Sequence, residues 1–117
     1  MYIVDRDLTV GSSIIFTGDT ELILCDGVTL TVDGSDIGGY GISCGGSSMT
    51  VSGSTITATG GEGTPDGYGI CIVSGCQFSL APGLTLKDKA AADDAWTAAT
   101  LDASSSWAKT KRYAIIE

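Results

Sequence analysis

The sequence predicts an all-β fold: a short right-handed parallel β-helix of about three to four coils, three strands per coil, with a non-repetitive C-terminal cap. Two observations lead there. Segment 13–34, SIIFTGDTELILCDGVTLTVDG, aligns without gaps on 39–60, GYGISCGGSSMTVSGSTITATG, and a third copy spans 67–88 once a residue is admitted near the APG corner. Each copy also holds three short runs of alternating apolar and polar residues, separated by Gly or Ser corners. No run can bury a face alone, whereas stacking equivalent runs at strand spacing builds one continuous core. A hairpin at the CDGV corner explains a single turn but not its return every 26–29 residues. An antiparallel β-sandwich or jelly roll is the alternative.

The elements follow in order along a single domain of 117 residues, of which 43% are apolar, enough to fold around one core. Residues 1–12 read as an N-terminal strand or cap, 13–88 as three coils and 89–117 as a C-terminal cap. In the gap-free alignment the inward columns are Phe16/Ile42/Ile70, Ile23/Met49/Phe78, Cys25/Val51/Leu80 and Leu30/Ile56/Leu84. Outward rows then carry Thr29, Thr55 and Thr85, followed by Thr31, Thr57 and Lys87. Leu22 and Leu24 fall on the outer face, so either something covers them or that run is out of register. In the tail, AAADDAW has high helix propensity, KRYAIIE suits a closing strand, and Trp96 and Trp107 are expected to cover the last coil.

Charge narrows the function. Fourteen acidic against six basic residues give a net charge of −8, which repels phosphate backbones and argues against nucleic acid as a partner. There is no run of 18 apolar residues, so no membrane insertion is expected. The opening MYIVDRDLTV lacks the basic start and apolar stretch of a signal peptide and reads as a strand already inside a domain, as in a piece of a longer protein.

The longest and most acidic corner occurs twice, as DGSDIGGYG (33–41) and GGEGTPDGYG (60–69). Asp33, Asp36, Glu62 and Asp66 would share one edge of neighbouring coils, with Tyr40 and Tyr68 at equivalent places. Carboxylates among glycine carbonyls supply the oxygen ligands calcium prefers, and rings beside them can stack on sugar faces. The plain alternative is that the acids and glycines only solvate turns, with the rings lying inward.

Catalysis is poorly served. The chain has no His, and Lys87 is the only basic side chain within the coils, so a base for a polysaccharide lyase is lacking. Carboxylate pairs for hydrolysis, Asp33/Asp66 or Asp36/Glu62, exist on paper, but no enzyme activity is expected. The Thr rows resemble the flat face of ice-binding β-solenoids, although threonine is also a good outward strand residue. Cys25 and Cys44 are placed in inward columns, Cys44 opposite Ile72. A Cys44–Cys71 or Cys44–Cys76 bridge is conceivable between adjacent coils. A zinc site would need four ligands without His.

The fragments ELILCDGVTLTVDG and STITATGG resemble segments of exported and surface proteins of gut bacteria, which carry parallel β-helix repeats and are often described as carbohydrate-binding or adhesin-like. The resemblance covers residues 8–88 and transfers no catalytic residue. It implies an extracellular or cell-surface setting and a polysaccharide partner. The expected function is a non-catalytic binding or structural module. Its alternatives are a spacer or assembly unit, self-associating or meeting a neighbouring domain through Leu22 and Leu24, and a remote polysaccharide lyase or hydrolase.

Overall fold

Alternating runs of three to five residues bounded by glycine become short strands, because each then presents an apolar face to one side and a polar face to the other. The computed structural model describes residues 1–34, 39–61, 67–103 and 106–117. Strands form all the regular structure among them. In chain order they are β1 (Tyr2–Val4), β2 (Leu8–Val10), β3 (Ile14–Phe16), β4 (Thr20–Leu24), β5 (Thr29–Asp33), β6 (Ile42–Cys44) and β7 (Ser48–Ser52). There follow β8 (Thr55–Thr59), β9 (Ile70–Ile72), β10 (Gln77–Leu80), β11 (Leu86–Lys89), β12 (Thr97–Ala98), β13 (Ala108–Lys109) and β14 (Tyr113–Ile116).

Three sheets result, with strand orders β1-β4-β7-β10, β12-β11-β14-β8-β5-β2 and β13-β9-β6-β3. From β1 to β11 the chain visits these sheets in rotation. Neighbours drawn from successive circuits pair parallel in every case, which an antiparallel sandwich or jelly roll would not produce. The antiparallel pairings all involve the tail strands β12, β13 and β14, so two of the sheets are mixed. One apolar cluster draws on all three sheets, including Phe16, Leu22, Val32, Ile42, Val51 and Ile72. Full burial of each such side chain contributes about 1.5–3 kcal/mol.

Several columns hold and several are corrected. Leu30 lies beside Ile56, Met49 beside Phe78, Val51 beside Leu80, and Cys44 beside Ile72, as the repeat predicts. Phe16, however, is level with Cys44, two residues along from Ile42, and Ile14 takes the place beside Ile42. The error in β4 is larger. Leu22 pairs with Val51 and Ile23 with Ser52, an odd displacement that exchanges the faces. Leu22 and Leu24 are therefore core residues, each 2% exposed, and Cys25 is exposed on the corner.

The cause lies in the corner. Eight positions lead from Leu22 to Leu30 but five from their partners Val51 to Ile56, so an alignment without gaps shifts one run by three residues, an odd number. Gly53 permits the shorter path: its φ is +106°, and any Cβ there would collide with the carbonyl of Leu24. Ser54 ties the two corners together, accepting from Gly27 N at 2.8 Å and donating to Cys25 O at 3.3 Å.

The tail departs furthest from expectation. KRYAIIE does form a strand, β14, but it does not close an end. It lies between β8 and β11, antiparallel to both, with Ile116 between Ile56 and Leu86. Leu84 is thereby removed from the column predicted for it. β11 lies two strand positions from β8, and β14 fills the gap between them. Instead of a helix, residues 91–94 form a turn, where Ala91 N donates to the Asp94 carboxylate at 3.2 Å and Asp94 N to Ala91 O at 3.1 Å. That aspartate satisfies the turn locally and so competes with helix. Trp107 is 57% exposed and covers little, while half-buried Trp96 lies 4.3 Å from the Lys89 ammonium.

Candidate functional site

The two acidic corners leave β5 and β8 and return to β6 and β9, and their bases are pinched. A Cβ on Gly34 would stand 2.5 Å from Tyr40 O, and one on Gly60 would strike the backbone at Gly67 and Tyr68. Glycine at both positions lets the outgoing and returning chain touch. Ladder-like bonds then hold the returning segments: Gly41 N to Tyr68 O at 3.0 Å, Ile14 N to Gly41 O at 2.9 Å, and Gly61 N to Gly39 O at 2.9 Å.

That framework sets Tyr40 and Tyr68 one above the other. Their ring centroids are 5.7 Å apart and nearly parallel, at 19°, an offset-stacking distance. Both are half-buried. The Lys109 ammonium stands 4.5 Å from the Tyr68 ring centroid. Because β13, β9 and β6 are successive in their sheet, Lys109, Tyr68 and Tyr40 form a short stack. Continuing the β3–β6 register places Ser12 beside Tyr40 on the first circuit, and a serine is too short to cover the ring.

Tail residues complete the surroundings. Arg112 donates from Nε to Gly60 O at 3.1 Å and from Nη1 to the Tyr113 hydroxyl at 2.8 Å, with its guanidinium 4.8 Å from the Tyr113 ring. Gly60 N donates to Arg112 O and Gly69 N to Lys111 O, each at 2.8 Å. The nearly buried Asp88 carboxylate accepts from Lys111 N at 3.0 Å and from the Thr97 hydroxyl at 3.4 Å, fixing the chain that carries these basic residues.

Of the six predicted site residues, Tyr40 and Tyr68 come together, and Asp33 is exposed at the end of β5, level with Thr59. Asp36, Glu62 and Asp66 lie outside the described residues, so the proposed calcium ligands fall mostly beyond the structure. Sequence reasoning missed Lys109 and Arg112, because only non-local pairings bring them here, β13 with β9 for Lys109 and β14 with β8 for Arg112. The outward threonine row runs Thr9, Thr31, Thr57 and then meets Ile115, so the regular face ends where β14 enters. No family model, curated protein or solved structure matches the chain at a significant level.

Proposed function

We propose that the protein is a short parallel β-helix serving as a non-catalytic carbohydrate-binding module of an exported or cell-surface bacterial protein, and that Tyr40 is its principal sugar platform. The observation that carries this reading is the Tyr40–Tyr68 stack at 5.7 Å. The β-helix assignment draws its support from the rotation of the chain through three sheets with parallel pairing of successive circuits.

Tyr68 has Tyr40 on one side and Lys109 on the other, so it acts as a backing ring. Tyr40, beside Ser12, has no ring or cation against its other face among the described residues, and that is the face against which the C–H face of a pyranose packs. Asp33 stands at the end of the neighbouring strand as an acceptor for sugar hydroxyls. A glycan array and affinity electrophoresis in polysaccharide gels, each run with and without calcium, test the reading. Tyr40→Ala should weaken retardation about tenfold, the equivalent of ~1.4 kcal/mol, and Tyr68→Ala should weaken it less. Absence of any glycan signal from the folded wild-type protein, or equal binding by Tyr40→Ala, overturns it.

A second reading, an assembly unit, rests on a separate observation. Met1, Tyr2, Ile3, Leu8 and Ile15 are exposed, and all but Met1 lie on β1, β2 or β3, the three edge strands of the first circuit. Exposed strand edges with apolar side chains favour association. The Leu22/Leu24 surface expected from the sequence is buried and is not part of this reading. Light scattering over a concentration series decides it: a strict monomer excludes self-assembly.

A further inference from the structure

The cysteines divide by face. Cys71 pairs in register with Ser43, whereas Cys44 pairs with Ile72. Alternation therefore sends the Cys71 side chain to the opposite side of the sheet from Cys44 and removes it as a partner. Cys25 is exposed on a distant corner. Cys76, immediately before β10, instead brings its sulfur to 3.9 Å from that of Cys44. The two are 3% and 0% exposed. Both are thiols in this structure.

We propose that Cys44 and Cys76 are an intramolecular disulfide site, closed when the protein meets a low-molecular-weight disulfide in an oxidising medium. Closing the bond asks about 1 Å of movement from each sulfur, to reach the ~2 Å bond length. The bridge has a structural consequence. Among the described residues β10 is an edge strand, paired to β7, and a covalent tie from its first corner to β6 would fasten it to the far sheet.

Access comes from the groove of about 560 Å³ beside Gly75, Cys76, Gln77 and Leu101. The Cys76 thiolate attacks one sulfur of the small disulfide, forming a mixed disulfide and expelling a thiolate. The Cys44 thiolate then attacks the Cys76 sulfur, forms the intramolecular bond and expels the second thiolate. The cysteine pair loses two electrons, the small disulfide gains them, and the two protein protons end on the two released thiols.

The test treats the full chain with oxidised glutathione and then counts thiols under denaturing conditions. The count should fall from four to two, with the mass lighter by two hydrogens, a chymotryptic map joining the Cys44 peptide to peptide 69–78, and fragment-ion spectra of that linked pair placing the bridge on Cys76 rather than Cys71. The melting temperature should rise on the order of 10 °C over the reduced protein. Cys25→Ser and Cys71→Ser should keep the rise, and Cys44→Ala or Cys76→Ala should lose it. Four titratable thiols after oxidation, or a bridge mapped to Cys25 or Cys71, overturns the proposal, and both readouts use the wild-type chain. Sugar binding need not change either way, so failure here leaves the glycan reading standing.

Discussion

Replacing Ile116 by alanine should be among the most damaging single changes in the tail, because β14 is held between two ladders. Ile116 is 1% exposed and sits between Ile56 and Leu86. The substitution removes Cγ1, Cγ2 and Cδ1, which at about 0.8 kcal/mol for each buried carbon group gives ~2.4 kcal/mol of lost transfer energy. A cavity contribution adds to it. The strands on both sides are fixed by hydrogen bonds, so the site collapses poorly and the total should reach about 4 kcal/mol, within the range for buried Ile→Ala. A chain of this length has roughly 6–18 kcal/mol of stability. The melting temperature should therefore fall by roughly 12–16 °C. Urea unfolding with unchanged m-value measures it directly. Two companions give the contrast. Ile115→Ala, on the outward face of the same strand, should cost about 1 kcal/mol or less. Leu84→Ala, half-buried outside any strand, should cost less than Ile116→Ala. Were Leu84 the costlier of the two, the third circuit would lie directly on β8 and the intercalated tail strand would be wrong.

Two further outcomes follow from the corners and the thiols. Gly53→Ala should destabilise by about 2–4 kcal/mol, since it combines positive φ with a collision at the Leu24 carbonyl. Gly75→Ala, at φ +88° but facing open space, should cost about 1–2 kcal/mol; equal midpoints in urea would remove the steric explanation. Burial, then the neighbouring Cys44, pushes the Cys76 thiol up to about 11, while the unfolded chain releases that proton near its ordinary ~8.5. The folded state thus holds the proton more tightly, and this contribution is complete below pH ~8.5 and lost as pH rises toward 11. Under reducing conditions the urea midpoint should fall between pH 8 and 10.5, and less so in Cys76→Ala; an unchanged slope in that variant contradicts the burial of this thiol.

The fold was legible in unequal parts. Runs such as VTLTV and TITAT carry their own faces, and the gap-free repeat pairs Leu30 with Ile56 and Thr31 with Thr57, as the sheet does. The same alignment fails at β4, because partners there lie 29 positions apart (Leu22 with Val51) against 26 in β5 (Leu30 with Ile56), and the corner absorbs that odd slip of three without disturbing the alternation inside either run. At the candidate site, Tyr40 and Tyr68 were legible through the repeated GYG, which recurs at matching places. Lys109 was not, since nothing near it in the chain points toward the second acidic corner.

What the sequence by itself determined is the set of short two-faced runs, their return at a nearly constant spacing, and glycine where the chain must turn or touch itself. Those properties are local, and each is written in a few adjacent residues. Tertiary structure alone decided that the last strand enters between β8 and β11, that Leu22 and Leu24 face inward, and that two cysteines 32 positions apart meet at 3.9 Å. Each of these depends on which open ladder or apolar gap remains after the circuits have stacked, a condition set by the whole chain at once.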